Sequence, residues 1–331
     1  MPLTLEELDL RRDALATSTL DHGLQLLGDR WTMAVVLGAF LGVRRFDEWQ
    51  SRLGIPRHTL AERLRSLTAL GLLRQRPYQQ RPLRHAYHLT AKGLTLYPHV
   101  LMMWSWERRW GARALDLPER LVHLGCGQPF VPWMACEACG DNIGIGDLSF
   151  TLEPVAALRE RPPARGRAPR LAQAEGGEPG LGLRVDRWAL LIISAVLLGC
   201  HHFDELSHVL GIGSSVLTRR LAGMVDTGLL LSQADLADGR RRIYRLTPAS
   251  RDLFGYILCF SSWASRHHFI EPSSIRPTHR ACGHAFAPQV VCSHCQQPLL
   301  AREVRAEGPA AHPPIKTRPR PATPPPGAET P

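Results

Sequence analysis

Residues 29–73, DRWTMAVVLGAFLGVRRFDEWQSRLGIPRHTLAERLRSLTALGLL, decide the fold. From Trp31 to Leu41 the chain is apolar and of helical length, which predicts a buried helix with Asp29 capping its first turn. Phe46, Trp49 and Leu53 then recur at i, i+3 and i+7, the spacing of an amphipathic helix. Gly54 breaks that helix, and Pro56 suits the first turn of the next. In the next helix Leu60, Leu64 and Leu67 form one apolar stripe, Arg57, His58, Arg63 and Arg65 fall on other faces, and Gly71 follows as a C-cap. Two short helices, a tight turn and a basic-faced helix make a helix-turn-helix.

A hairpin follows from about Leu73 to Thr90, with Pro77 and Pro82 confining the pairing near the tip. A last helix holds Leu96, Val100, Met103 and Trp106. Helix-turn-helix plus basic hairpin is a winged helix.

The chain then does this again. Asp29-Arg30-Trp31 matches Asp186-Arg187-Trp188, Leu53-Gly54-Ile55 matches Leu210-Gly211-Ile212, Gly71-Leu72-Leu73 matches Gly228-Leu229-Leu230, and Trp106 matches Trp263, all at an offset of 157 residues. In the second wing Asp238-Gly239 reads as a two-residue turn between Leu230 and Leu246.

A second duplicated pattern carries metal chemistry. His123, Cys126, Cys136 and Cys139 read H-x2-C-x9-C-x2-C, and His279, Cys282, Cys292 and Cys295 repeat it 156 positions later. Six of the eight cysteines lie in these two motifs. Three thiolates and one imidazole make a closed tetrahedral set suited to structural Zn2+, so each motif is expected to hold one ion that supports folding. The alternative is a redox dithiol. The chain shows no apolar signal segment, so a reducing cytoplasm is expected, where paired CxxC motifs favour metal. Cys200 and Cys259 lie in apolar runs and read as buried, inert thiols.

The full reading is of a mainly α protein with small β (α+β): winged helix-turn-helix units at 1–115 and 183–272, zinc-binding extensions at 116–158 and 273–307, a disordered linker at 159–182 and a disordered Pro-rich tail at 308–331. No apolar run is long enough to span a bilayer. With 40 Lys plus Arg against 30 Asp plus Glu, the net charge of +10 favours an anionic partner. There is no nucleophile–base arrangement, phosphate-cradling glycine loop or open metal set, so an enzyme is not expected.

The residues now collected resemble the HxlR-type winged helix-turn-helix regulators, within the broader MarR-like group. The match runs through GDRWTMAVVLGAFLGVRRFDEW, LGIPRHTLAERLRSLTALGLL and RPLRHAYHLTAKG, and again through DRWALLIISAVLLGCHHFDEL, LGIGSSVLTRRLAGMVDTGLL and IYRLT. The resemblance implies a bacterial transcription regulator that binds double-stranded DNA, with a recognition helix in the major groove and the wing on the adjacent backbone. It also implies dimerisation through terminal helices. With two units in one chain, an intramolecular pseudo-dimer or a homodimer would serve. The segment before Trp188 is Gly- and Pro-rich where the first repeat has a helix from Leu20 to Leu27, which puts a first helix of the second repeat in doubt.

The candidate DNA-contacting residues are Arg57, His58, Thr59, Arg63 and Arg65 on the first recognition helix, and Ser214, Ser215, Thr218, Arg219 and Arg220 on the second. Wing-tip candidates are Arg81 and Arg84, and Arg240, Arg241 and Arg242. Early helix positions are expected to face bases, because Arg reads guanine O6 and N7 bidentately. Arg63 and Arg220 precede core leucines and are expected to reach phosphates, like the wing arginines. His201, His202, His267 and His268 form pairs that could bind a metal, but exposed loop histidines are the expected reading. Two other functions compete with the DNA-reading one: a zinc-dependent protein-interaction module on a winged-helix scaffold, and a metal- or redox-responsive regulator. A small-molecule effector is compatible with any regulator and is not identified by the sequence.

Overall fold

The computed structural model describes residues 3–111, 117–153, 186–268 and 274–308. The linker, the Pro-rich tail, and the question of a helix before Trp188 therefore lie outside the described residues.

Each repeat begins with capped helices. In the first, α1 (Leu5–Ala16) and α2 (Thr19–Leu27) precede α3 (Arg30–Phe40), whose cap Asp29 accepts hydrogen bonds from the Trp31 and Thr32 amides. Then come α4 (Phe46–Leu53) and α5 (Arg57–Ala69), the wing strands β1 (Leu73–Gln80) and β2 (Leu83–Leu89), the short α6 (Ala91–Leu94) and the terminal helix α7 (Tyr97–Trp110). Gly54 ends α4 in the left-handed region (φ 60°), a conformation that costs a glycine nothing and forces the tight turn into α5. The second repeat runs α8 (Arg187–Leu197), α9 (Phe203–Leu210), α10 (Ser214–Asp226), β7 (Leu230–Ala234), β8 (Arg242–Leu246), α11 (Pro248–Arg251) and α12 (Phe254–His268). Asp186 caps α8, and Gly211 (φ 62°) repeats the left-handed turn.

The core of each unit is the predicted stripe. Leu60, Leu64 and Leu67 are fully buried, as is Trp49 of the preceding helix, and Leu217, Leu221, Met224 and Leu206 are buried at the equivalent places in the second unit. Trp31 and Trp188 are only half-buried, each lying beneath its neighbouring arginine at 4.3 and 4.7 Å.

Both wings differ from expectation. In the first, β1 and β2 stay paired to the tip (Gln80 opposite Leu83), with a bulge absorbing the chain between Pro77 and Gln79. In the second the turn is wider than two residues. The side chain of Asp235 accepts from the Ala237 amide and that of Asp238 from the Arg240 amide, so the chain loops over residues 235–241.

The two repeats are interwoven. β5 (Pro132–Cys136) pairs antiparallel with β10 (Pro288–Cys292), and Met134 stands opposite Val290, its own counterpart in the duplication. A pseudo-twofold axis therefore passes through that pair. It also relates β3 (Arg120–His123) pairing with β11 (Val304–Glu307) to β6 (Leu148–Leu152) pairing with β9 (Ile275–His279). β4 (Gln128–Phe130) adds to the edge of β3. Each repeat thus begins its sheet on a strand that the other repeat completes, the self-complementary pattern of a twofold interface.

Helices complete the joint. α7 packs on α12, with His99 against the rings of Tyr256 (3.9 Å between centroids) and Phe260 (4.8 Å). α2 lies on α12 so closely that a Cβ at Gly23 would fall 2.9 Å from the Phe260 ring. α1 reaches across to the second repeat, with Arg11 Nε donating to the Leu198 carbonyl (2.8 Å) and Asp9 accepting from His208 (2.8 Å).

Candidate nucleic-acid interface and metal centres

The recognition helices α5 and α10 are held by their apolar stripes, which leaves their opposite faces to solvent. Arg57, His58 and Arg65 are exposed and Thr59 is half-buried; Ser214, Ser215, Thr218 and Arg219 are exposed on α10. Arg57 lies along the preceding helix, donating to Gln50 (3.1 Å) and covering the Phe46 ring at 5.3 Å. These seven exposed side chains and Thr59 cluster at and after the turn that each Gly-ended helix presents.

Arg63 and Arg220 do not point outward as expected. Arg63 pairs with Asp29 at 3.2 Å, and Arg220, only 7% exposed, pairs with Asp186. The pairing repeats at the duplication offset. Each arginine ties its recognition helix to the aspartate that caps the helix beginning at Arg30 or Arg187.

On the wings, Arg81, Arg84, Arg240 and Arg242 are exposed. Arg241 is partly covered and grips Asp204 through two contacts of 2.7 and 2.9 Å; its counterpart Arg84 stands 3.8 Å from Asp47. The sequence reading passed over Arg74 and Arg76 on β1 and Arg245 on β8, all exposed. Positions 74 and 76 share one strand face, a period-two signal visible in the sequence. These histidines are not free loop side chains: His202 Nε2 meets Asp235 at 3.0 Å, His201 Nδ1 meets the Tyr244 carbonyl at 3.3 Å, and His267 meets Thr95 at 2.8 Å; the His268 side chain lies outside the described residues.

The eight metal-ligand candidates form two clusters, but not one per motif. His123 and Cys126 join Cys292 and Cys295; Cys136 and Cys139 join His279 and Cys282. Within each cluster the ligand atoms all lie within 4.8 Å of one another. In the first, Cys126 Sγ is 4.0 Å from Cys292 Sγ, and His123 Nδ1 is 3.5 Å from Cys126 and 3.3 Å from Cys295. In the second, Cys136 Sγ is 4.0 Å from Cys282 Sγ, and His279 Nδ1 is 3.4 Å from Cys139 and 3.2 Å from Cys282. A tetrahedral ion with Zn–S near 2.3 Å and Zn–N near 2.0 Å gives edges of roughly 3.5–3.8 Å. The donor sets fit such an ion, and all eight cysteines are free thiols.

The exchange has a simple cause. β5 is extended, and four steps of about 3.3 Å carry Cys136 roughly 13 Å along the sheet, away from His123 and Cys126. Antiparallel pairing with β10 sets Cys136 opposite Pro288, at the strand's start, just after the His279–Cys282 turn. Cys200 and Cys259 stand apart from both clusters; burial pushes each thiol up to about 12, so neither is a nucleophile at neutral pH.

A winged helix with a polar, partly basic recognition helix, present twice and joined about a pseudo-twofold, defines a DNA-binding transcriptional regulator. The HxlR-like helix-turn-helix family matches residues 26–114 and 184–272, and the chain belongs to that family. It is 38% identical over 138 residues to an uncharacterized HTH-type transcriptional regulator of Mycobacterium tuberculosis, covering 39% of this chain and 87% of that one. An uncharacterized HTH-type transcriptional regulator of Synechocystis is 32% identical over 92 residues, covering 28% of this chain and 68% of the relative. A solved structure described as a proposed transcription factor of Pseudomonas aeruginosa is 32% identical, covers 38% of this chain and 84% of that one, and superposes with a TM-score of 0.28. Among the described residues, no helix is long and apolar enough to cross a membrane.

Proposed function

We propose that one chain serves as its own pair of DNA readers, with the two recognition helices in successive major grooves and the wings on the flanking backbone. The observation that supports this is the interwoven joint between the repeats, in which β5 pairs with β10, β3 with β11 and β6 with β9 about one pseudo-twofold axis. Half-sites one helical turn apart would have centres about 34 Å apart.

The half-sites are unequal. The first reader offers Arg57, His58, Thr59 and Arg65, the second Ser214, Ser215, Thr218 and Arg219. Arginine at early positions favours guanine, whereas serine and threonine hydroxyls discriminate weakly. An imperfect palindrome with its stronger half under the first repeat is therefore the expected operator. Arg81, Arg84, Arg240 and Arg242, with Arg74, Arg76 and Arg245, supply phosphate contacts that position the protein without specifying sequence.

His123, Cys126, Cys292 and Cys295 would hold one Zn2+, and Cys136, Cys139, His279 and Cys282 a second; with all four ligands supplied by the protein, each ion would support folding rather than chemistry. The protein works in the cytoplasm, on the nucleoid when DNA-bound, as a regulator and not as an enzyme.

The test is binding to duplex DNA from upstream of the protein's own gene against mixed-sequence competitor, at near-physiological salt with zinc present. A specific complex tighter than mixed DNA by about 10^3-fold or more supports the reading. No preference there, followed by failure of random-sequence selection to enrich any site, refutes it and favours the zinc-dependent protein-interaction module.

A further inference from the structure

We propose that the cavity between α12 and the metal-binding sheet of the second repeat binds a small, largely apolar acid, and that this ligand tunes DNA binding; the second half of the proposal rests on the regulator reading above.

The duplication supplies its own control. Each repeat has a cavity at the equivalent place, behind its terminal helix and under its sheet. The first, about 850 Å³, is walled partly by Arg108, Arg109, Glu119 and Arg120. Those charged groups favour water over an apolar guest. Trp104 also stands in it, fixed by its Nε1 donating to the Pro118 carbonyl at 2.8 Å.

In the second cavity, about 510 Å³, Arg266 and Arg276 keep the places of Arg109 and Arg120, but four other equivalent positions differ. Ser261 replaces Trp104, Ala287 replaces Val131, Ser265 replaces Arg108 and Ile275 replaces Glu119. Two of these changes remove bulk and two remove charge. Thr19 of α2 lies against Ser261, the two hydroxyls 2.7 Å apart. The cavity nonetheless persists at a volume typical of small-molecule sites.

Its walls define the ligand. Leu197, Leu198, Ile257, Leu258 and Phe286 offer an apolar slot. Ser261, Ser262 and Ser265 lie along one side, the Ser261 hydroxyl already shared with Thr19, with Arg266 and Arg276 beside them. Arg266 is held only loosely, 3.7 Å from Glu137 with both side chains more than half exposed, so an incoming anion can take Glu137's place. A flat apolar body with one acidic group meets all of these features.

The position explains a regulatory effect. The walls come from α2 of the first repeat (Thr19, Leu20) and from α8, the first helix of the second helix-turn-helix (Ser194, Leu197, Leu198). A guest touching both would bias how the second reader sits on the first. That differential contact is what a ligand needs in order to shift an equilibrium.

The probe is 8-anilinonaphthalene-1-sulfonate, an apolar aromatic with one anionic group, titrated by fluorescence into the zinc-loaded full chain. We expect saturation at one dye per chain. Ser261→Trp, which restores the first repeat's residue, and Ala287→Leu, which narrows the slot from the opposite wall, should each weaken binding about tenfold or more. Both variants should still melt cooperatively. Dye binding without saturation, or unchanged in both cooperatively melting variants, overturns the site. In the same samples the dye should shift DNA affinity of the unmodified chain and not of Ser261→Trp; equal behaviour of the two overturns the regulatory half. Because dye binding is read without DNA, a failure of the DNA-reading function is distinguishable from a failure of the site.

Discussion

The sulfurs of Cys126 and Cys292 stand 4.0 Å apart across 166 residues of chain. Cys136 and Cys139, which complete Cys126's own motif, belong to the other cluster. Each ion would therefore bridge the two repeats, and neither motif could load a metal by itself.

Paired substitutions separate the two assignments. Cys126→Ser with Cys295→Ser removes two ligands from one cluster and spares the other, so that variant should retain one zinc per chain. Cys126→Ser with Cys139→Ser damages both clusters and should retain none at stoichiometric zinc. Native mass spectrometry, or the visible spectrum of the cobalt-substituted protein, counts the ions. The reverse pattern would return each ion to a single motif.

Chelation should destabilise both repeats together, since each site holds strands from both. A zinc at 1,000 times its Kd contributes about 4 kcal/mol per site. Removing both ions should therefore lower the melting temperature of the whole chain as one transition. Two separated transitions, one of them unmoved by chelator, would contradict a shared joint.

Much of this was legible in the residues, and the illegible parts have a common character. Caps such as Asp29, left-handed glycines such as Gly54 and the stripe Leu60–Leu64–Leu67 act within one or two helical turns, so local spacing reveals them. Ligand spacing gave the number and type of donors but not their partition. That partition depends on β5 pairing with β10, more than 150 residues away. The ion pairs of Arg63 and Arg220 were not anticipated although a signal existed: each arginine sits three residues after one core leucine and just before another, beside the buried stripe, and each has an aspartate 34 residues upstream. The wider second wing followed from side-chain turns at Asp235 and Asp238, which compete with the two-residue turn that Asp238-Gly239 suggests.

The Arg220–Asp186 pair should matter for stability more than its exposed neighbour. Arg220 is nearly buried, so Arg220→Ala would leave a largely buried carboxylate without its partner, a loss of about 3–5 kcal/mol. Arg219→Ala, on the exposed face, should change stability by less than about 0.5 kcal/mol while weakening DNA binding. Urea denaturation and DNA titration of the two variants give the comparison. Equal stability would place Arg220 outside the fold's support.

The readers and the wings should respond differently to substitution. Arg57→Ala should cost about 1–3 kcal/mol on the preferred site and relax selection at one base pair. Arg81→Ala and Arg240→Ala should weaken all sequences alike, and each should lower the slope of log K against log salt by about 1. Arg241 is already engaged with Asp204, so its substitution should have a smaller effect on the slope than that of Arg240. Uniform loss on every sequence for Arg57→Ala would remove it from base reading.

His99 gives the joint a pH dependence. It is enclosed by Tyr256 and Phe260, with Nδ1 at 3.1 Å from the Tyr256 carbonyl and Nε2 without a partner. Burial therefore pushes its pKa down to about 3. The folded state keeps the ring neutral, whereas the unfolded chain binds a proton below about 6.5. Stability is then complete above pH 6.5 and falls by about 1.4 kcal/mol per pH unit as the pH drops toward 3. Metal ligands protonate over the same acidic range, so the informative quantity is a difference. Between pH 7 and pH 5 the native chain should lose about 2 kcal/mol more than His99→Phe, measured by urea denaturation with saturating zinc. Parallel curves for the two proteins would mean that His99 is not held neutral at the joint.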